Sequence, residues 1–132
     1  MAAGIAAAGL LLDSNILIDL LRGEAQALAW IEAHAGATSI SVISWMEILV
    51  GCHDDELGAV EPWLSSFPRL ELTQTIAREA VACRRSLGLK IPDAIILATA
   101  RCHRLQLVTR NTRDFPESLG GVQVPYRLSP ET

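Results

Sequence analysis

Apolar residues fall along this chain in two alternating rhythms. The continuous run Leu10-Leu11-Leu12, the segment Leu105 to Thr109 and the β-branched stretch Thr38 to Val42 predict short strands buried on both faces of a sheet. Between them, apolar positions recur at helical spacing. Ile16, Leu17, Leu20 and Leu21 predict a helix that starts at the cap residues Ser14 and Asn15 and breaks at Gly23. Ala25 to Ala35 reads as a second helix, with Ala27, Leu28 and Ile31 on one face. Ser44 reads as the cap of a third, which carries Glu47 and ends near Gly51. Asp54 to Ser65 is a helix weakened or broken by Pro62. Leu70 to Leu72 is a short strand, and Thr73 caps a long helix from Thr75 to Leu87 that Gly88 ends in the left-handed conformation. Pro92 opens a helix from Ala94 to His103, so apolar in its first two turns that it must be buried. Gly120-Gly121 is a turn, and Val122 to Val124 is the last strand.

Strands that alternate with helices predict an α/β fold, here a three-layer α/β/α sandwich around a short parallel central sheet. Ligands of such sheets bind beyond the carboxyl ends of the strands. The length of 132 residues suits a single domain spanning 1–132. Residues 1–9, rich in Ala and Gly, read as a loosely ordered leader. No basic n-region precedes the first apolar run and Asp13 interrupts it, so the segment supports neither a secretory signal nor a membrane span. Three cysteines are too few, and odd in number, for a disulfide framework, which points to a reducing compartment, the cytoplasm. With 5% aromatic residues, the core must be built mainly from Leu, Ile, Val and Ala.

Net charge changes the picture only when it is resolved along the chain. A total of -4 excludes nucleic-acid binding through bulk positive charge. Residues 1–83 carry 3 basic and 11 acidic side chains, whereas residues 84–113 carry 7 basic (Arg84, Arg85, Lys90, Arg101, Arg104, Arg110, Arg113) and only Asp93 as an acid. This basic segment is either a solvated helix face or a surface that meets a polyanion beside a working carboxylate.

Candidate chemistry sits at strand ends and helix starts. Asp13 ends the first strand, Glu47 lies in the helix after the second, Asp93 opens the apolar helix, and Asn111 and Asp114 follow the Leu105 strand. Each has an ordinary structural explanation when taken singly, such as a helix cap or a favourable charge at a helix start. Gathered at one end of one small sheet, the acids would repel each other and raise each other's pKa. A divalent cation removes that repulsion, and oxygen ligands without clustered His or Cys favour Mg²⁺ or Mn²⁺. Cys52-His53 and Cys102-His103 lack the partner spacing of a zinc site.

Four segments together resemble a known family. Leu11-Leu12-Asp13-Ser14-Asn15-Ile16-Leu17, Ser44-Trp45-Met46-Glu47-Ile48-Leu49-Val50-Gly51, Ile91-Pro92-Asp93-Ala94-Ile95-Ile96-Leu97-Ala98-Thr99-Ala100 and Val108-Thr109-Arg110-Asn111-Thr112-Arg113-Asp114-Phe115 occur in the order found in PIN-domain ribonucleases of the VapC toxin type. The resemblance spans about Leu10 to Val124. It implies a metal-dependent endoribonuclease, the toxin of a type II toxin–antitoxin pair, that leaves a 5′-phosphate and a 3′-hydroxyl. Asp13, Glu47 and Asp93 match the family's three acids around Mg²⁺ or Mn²⁺. Asn111 stands where many members carry a fourth acid, and Asp114 matches the acid that follows and is a further metal ligand. Ser14 and Thr109 are supporting hydroxyls. The resemblance also implies single-stranded or loop RNA as substrate, a VapB-like antitoxin seated on the half of the fold holding Leu17, Leu20, Leu21, Leu57, Val60 and Leu64, and a homodimer. Two other readings compete with it. A non-catalytic PIN-like module for RNA or protein would keep the fold and lose the metal, against which Asp13, Glu47 and Asp93 stand together. An aspartyl-phosphate enzyme or receiver domain would want an acid where Asn15 or Ser14 stands and, for a receiver, a late lysine where Arg110 stands.

Overall fold

The computed structural model describes residues 9–128, so the expected loose leader lies outside the described residues except for Gly9. Three leucines with no polar side chain among them form β1 (Leu10–Leu12), the middle strand of a five-stranded sheet ordered β3-β2-β1-β4-β5. Its neighbours are β2 (Thr38–Ser41) and β4 (Gln106–Val108), beyond which lie β3 (Arg69–Leu70) and β5 (Val122–Gln123). All pairs are parallel, with Leu11 opposite Ser39 on one side and Leu107 on the other. The period of two along a strand then divides the core. Leu11 and Leu107 enter one half with Ile76, Ile96, Leu97 and Phe115, and Leu10, Leu12 and Val108 enter the other with Ile16, Leu17, Trp30, Ile40 and Leu64. Helices α5 (Gln74–Leu87) and α6 (Ile91–Cys102) cover the first face; α1 (Ser14–Leu21), α2 (Ala25–Ala33), α3 (Val42–Val50) and α4 (Leu57–Leu64) supply the second. This is the expected three-layer sandwich.

The chain leaves β1 toward β2 and β3 on one side and returns to β4 and β5 on the other, so the order reverses beside β1. Such a switch point opens a crevice at the carboxyl ends of the strands that flank it, here β1 and β4.

Local boundaries differ from the sequence reading in instructive ways. The cap of α3 is Ser41, not Ser44: Ser41 is extended (φ -84°, ψ 157°) and its Oγ accepts the Ser44 amide at 3.1 Å. Both serines satisfy the composition of a cap, and the end of β2 decides between them; Ser44 is left as a buried helical residue. β3 sits at Arg69–Leu70, one residue earlier than expected, because its register with Ile40 and Ser41 sets its position. Pro62 is accommodated inside α4 rather than ending it. Thr73 caps α5 through Ile76, and Gly88 ends it at φ 73°, as the sequence predicts.

Candidate active site

Asp13 caps α1 at the crevice and is 5% exposed. Its Oδ1 accepts the Ser14 amide at 2.8 Å, and its Oδ2 accepts the Thr109 hydroxyl at 2.7 Å and the Asn15 side-chain amide at 3.4 Å. Thr109, fully buried at the end of β4, accepts in turn from Asn15 Nδ2 at 3.1 Å and from the Asn111 backbone amide at 2.9 Å. Glu47, exposed on α3, accepts the Ser14 hydroxyl at 2.6 Å, and Ser14 Oγ lies 3.0 Å from Ser44 Oγ. Asn111 and Asp114 hold each other: the Asn111 side-chain amide donates to Asp114 Oδ2 at 2.9 Å and the Asp114 backbone amide donates to Asn111 Oδ1 at 3.2 Å. Asp93 is half-buried in the first turn of α6. Ser14 and Thr109 thus stand where the sequence predicts supporting hydroxyls. Asn15 and Ser44 are additions. The sequence marks Asn15 only as a cap candidate, although its place two residues after Asp13 at a helix start puts its amide within reach of that carboxylate.

The electrostatics tie the acids together. Burial pushes the Asp13 carboxyl up from its ordinary 3.8 to about 6; the Thr109 and Ser14 hydrogen bonds oppose that, and Asp93 and Glu47 add to it. Asp93 is raised by burial, then by Asp114 and Glu47, with Lys90 pulling the other way. Among the described residues the ion pairs are Arg69–Glu71, Arg101–Glu79, Arg110–Asp19 and Arg127–Glu117, and none involves Asp13, Glu47, Asp93 or Asp114. Asp13, Glu47, Asp93 and Asp114 thus lie within electrostatic reach of one another, without a basic side chain paired to them among the described residues. They do not form a closed cage: among the described residues no three His, Cys, Asp or Glu side chains are grouped so as to hold one ion. Hard oxygen donors without a paired base, with Asp13 and Asp93 held up by burial and by neighbouring acids, fit a hard divalent cation by their chemistry.

The basic segment is only partly a surface. Arg84 donates to the Leu89 and Gly88 carbonyls at 2.7 and 3.4 Å, closing the end of α5. Arg101 faces Glu79 and Cys83, and Arg110 turns inward to Asp19. Arg85, Lys90, Arg104 and Arg113 are exposed and make no ion pair among the described residues.

On the α1–α4 face two apolar hollows share Leu21, Ala59 and Val60. One of about 700 Å³ also takes in Ile18, Arg22 and Glu47, and one of about 370 Å³ also takes in Leu28, Trp63 and Phe67. Of the six apolar residues expected there, Leu17 and Leu64 are fully buried in the core, Leu20, Leu21 and Val60 line the hollows, and Leu57 lines neither. No described helix is long and apolar enough to cross a membrane.

Comparison with known proteins places this arrangement. The PIN domain family matches residues 10–117, which include Asp13, Glu47, Asp93, Asn111 and Asp114. Ribonuclease VapC10 of Mycobacterium tuberculosis is 37% identical over 114 residues, covering 81% of this chain and 86% of the relative. Ribonuclease VapC19 of the same species is 32% identical over 124 residues, covering 88% and 98%. A chain of a toxin–antitoxin complex from Klebsiella pneumoniae superposes with a TM-score of 0.85 at 45% identity, over 91% of this chain and 100% of that one. FitAcB from Neisseria gonorrhoeae shares the fold at 22% identity and a TM-score of 0.73, over 90% and 99% of the two chains. Matched by the PIN domain over residues 10–117 and by VapC ribonucleases along most of their length, this chain belongs to the PIN-domain family, among the VapC-type ribonucleases.

Proposed function

We propose that the protein is a metal-dependent endoribonuclease acting as the toxin of a toxin–antitoxin pair. The observation that supports this reading is that Asp13 feels the charges of Asp93 and Glu47, and Asp93 those of Asp114 and Glu47, from four separate parts of the chain, while no basic side chain among the described residues forms an ion pair with any of them. Their carboxylates would hold Mg²⁺ or Mn²⁺ directly or through water, and the ion when bound would make a water nucleophilic at neutral pH and offset charge on the scissile phosphate.

The protein's own contribution is placement. The Ser14 amide and the Thr109 and Asn15 side chains fix both oxygens of Asp13, so its carboxylate cannot rotate away from the crevice. The Ser14 hydroxyl orients Glu47, and the Asn111 side-chain amide orients Asp114. Asn111, which replaces an acid found in many relatives, serves as this orienting group and as a donor to a phosphate oxygen. Asp13, with a pKa of about 6, is mostly ionised at neutral pH. Lys90 and Arg113 flank Asp93 and Asp114 and attract the RNA backbone that the acids alone would repel.

The partners follow from surfaces. The joined hollows on the α1–α4 face, one mainly apolar and the other also carrying Arg22, Glu47, Asp55 and Glu56, suit an amphipathic antitoxin tail of the VapB type with basic side chains near Glu47. A third hollow of about 400 Å³, which shares Glu47 with the first, holds Met46, Val50 and Ile91, all exposed, with Ile43, Pro92 and Ile95. Placed on a two-fold axis, this patch covers its own copy, which is the homodimer in this reading.

Incubation of the purified chain with total RNA in Mg²⁺ or Mn²⁺, against the same mixture with chelator, tests the reaction. Discrete fragments bearing 5′-phosphates are expected only with metal. Equal cleavage in chelator, or none in either, rules the reading out.

A further inference from the structure

Asp19 is 1% exposed, and the proposed reaction gives it nothing to do. Both of its oxygens are nevertheless occupied: Oδ1 accepts Arg110 Nη2 at 2.8 Å, and Oδ2 accepts Arg110 Nε at 2.6 Å and the Tyr126 hydroxyl at 2.8 Å. A guanidinium committed to a carboxylate through both arms of its fork has little left for phosphate. Arg110 also occupies a particular place in the chain. It lies between Thr109, which donates to Asp13, and Asn111, which donates to Asp114. Its backbone amide donates to Asn15 Oδ1 at 3.3 Å, while its side chain grips Asp19. Asn15 and Asp19 are four residues apart on α1 and so share one face of that helix. One arginine thus bridges a full turn of the helix that begins at Asp13, and Tyr126, from the segment after β5, closes the arrangement.

We propose that Asp19, Arg110 and Tyr126 form a positioning clamp: by holding the end of β4 against α1, it sets where Thr109 and the Asn111–Asp114 pair stand relative to Asp13, and through that placement the rate of cleavage. The inference rests on the nuclease reading, and it makes Arg110 a positioning residue rather than a contact for RNA. It also gives the segment after β5 a part in the site from a distance.

Two variants test it in the full chain. Arg110→Lys keeps the charge and loses the fork; Tyr126→Phe removes only the hydroxyl. In metal-free protein, hydrogen exchange at the Asn111 and Asp114 amides is expected to speed up in Arg110→Lys on the order of tenfold more than at Ala80 and Leu107, which report on the opposite half of the core. With Mn²⁺ and saturating RNA, single-turnover cleavage is expected to fall roughly 10- to 100-fold, and RNA affinity in chelator to change by less than about twofold. Tyr126→Phe should move the same readouts in the same direction by less, and it carries the test should Arg110→Lys fail to fold. Unchanged exchange at Asn111 and Asp114 overturns the clamp. So does a loss confined to RNA affinity, which would make Arg110 a phosphate contact, and so does exchange at Asn111 and Asp114 that rises no more than at Ala80 and Leu107, which would make it a stability element alone. Wild-type protein that cleaves no RNA refutes the nuclease reading, and hydrogen exchange in the variants then decides by itself whether the clamp exists.

Discussion

Asp13 and Asp19 lie at the cap and in the second turn of the same helix, 5% and 1% exposed, yet their surroundings are opposite in kind. Asp19 is neutralised from within, by a two-pronged arginine and a tyrosine hydroxyl. Asp13 receives an amide, a hydroxyl and a side-chain amide but no cation among the described residues, and other acids stand near it. Burying a charge without a counter-charge is costly, and stable proteins avoid it unless something from outside completes the site. The contrast separates a carboxylate neutralised inside the fold from one that no basic side chain among the described residues pairs with.

The widest gap between the two should come from the same conservative change made at each. Asp13→Asn is expected to lower RNA cleavage by more than about 100-fold, beyond the usual effect of a supporting residue, while thermal unfolding is unchanged or improved. Asp19→Asn is expected to destabilise the fold by about 3 kcal/mol, since it leaves the Arg110 guanidinium without its partner. Urea denaturation and cleavage assays on both variants check the crossing, and the comparison breaks if Asp13→Asn is the less stable of the two.

The pH dependence sharpens the contrast next. Because the folded-state pKa of Asp13 is raised, to about 6 from 3.8, the folded protein binds the proton more tightly than the unfolded chain does. Its contribution to stability in metal-free protein is therefore lost as pH rises through that window, by about 3 kcal/mol in all, and stays lost above it. Asp13→Asn removes this loss, so the variant's stability relative to wild type should climb between about pH 4 and 6, as read by unfolding at a series of pH values. A flat difference would show that Asp13 is not held in the buried, uncompensated state.

Smaller still are the effects of single hydroxyls. Thr109→Val takes from Asp13 a hydrogen bond that favours its ionised form, so the pH at which cleavage is half-maximal should move upward. Tyr126→Phe deletes the equivalent bond to Asp19, is expected to cost about 1 kcal/mol in unfolding, and should leave that pH where it is. Charges outside both clusters should matter least for stability. Lys90→Gln with Arg113→Gln is expected to reduce the salt dependence of RNA binding by a slope of about 1.4, two phosphate contacts' worth for single strands. An unchanged slope would place the RNA elsewhere.

Much of the fold is legible in the sequence because its signals are local. Three consecutive leucines need burial on both faces, Thr73 and Gly88 bound a helix by their own chemistry, and acids at strand ends point to the rim of a parallel sheet. Asp13, Glu47, Asp93, Asn111 and Asp114 can be picked out on that basis together with the family motifs. Ser41 against Ser44 cannot be resolved, because either serine satisfies a cap and the end of β2 selects one. Arg110 reads with its basic neighbours as surface charge, since nothing beside it in the chain reveals where its side chain goes.

Short-range patterns were enough to specify the strands and most of the helices, because hydrophobic periodicity and capping act over a few residues at a time. Which of two buried aspartates receives a cation from the protein was settled by packing alone. Arg110 meets Asp19 across 91 positions of sequence only because β4 lies beside β1, and that adjacency turns one acid into a brace and leaves the other with its charge uncompensated.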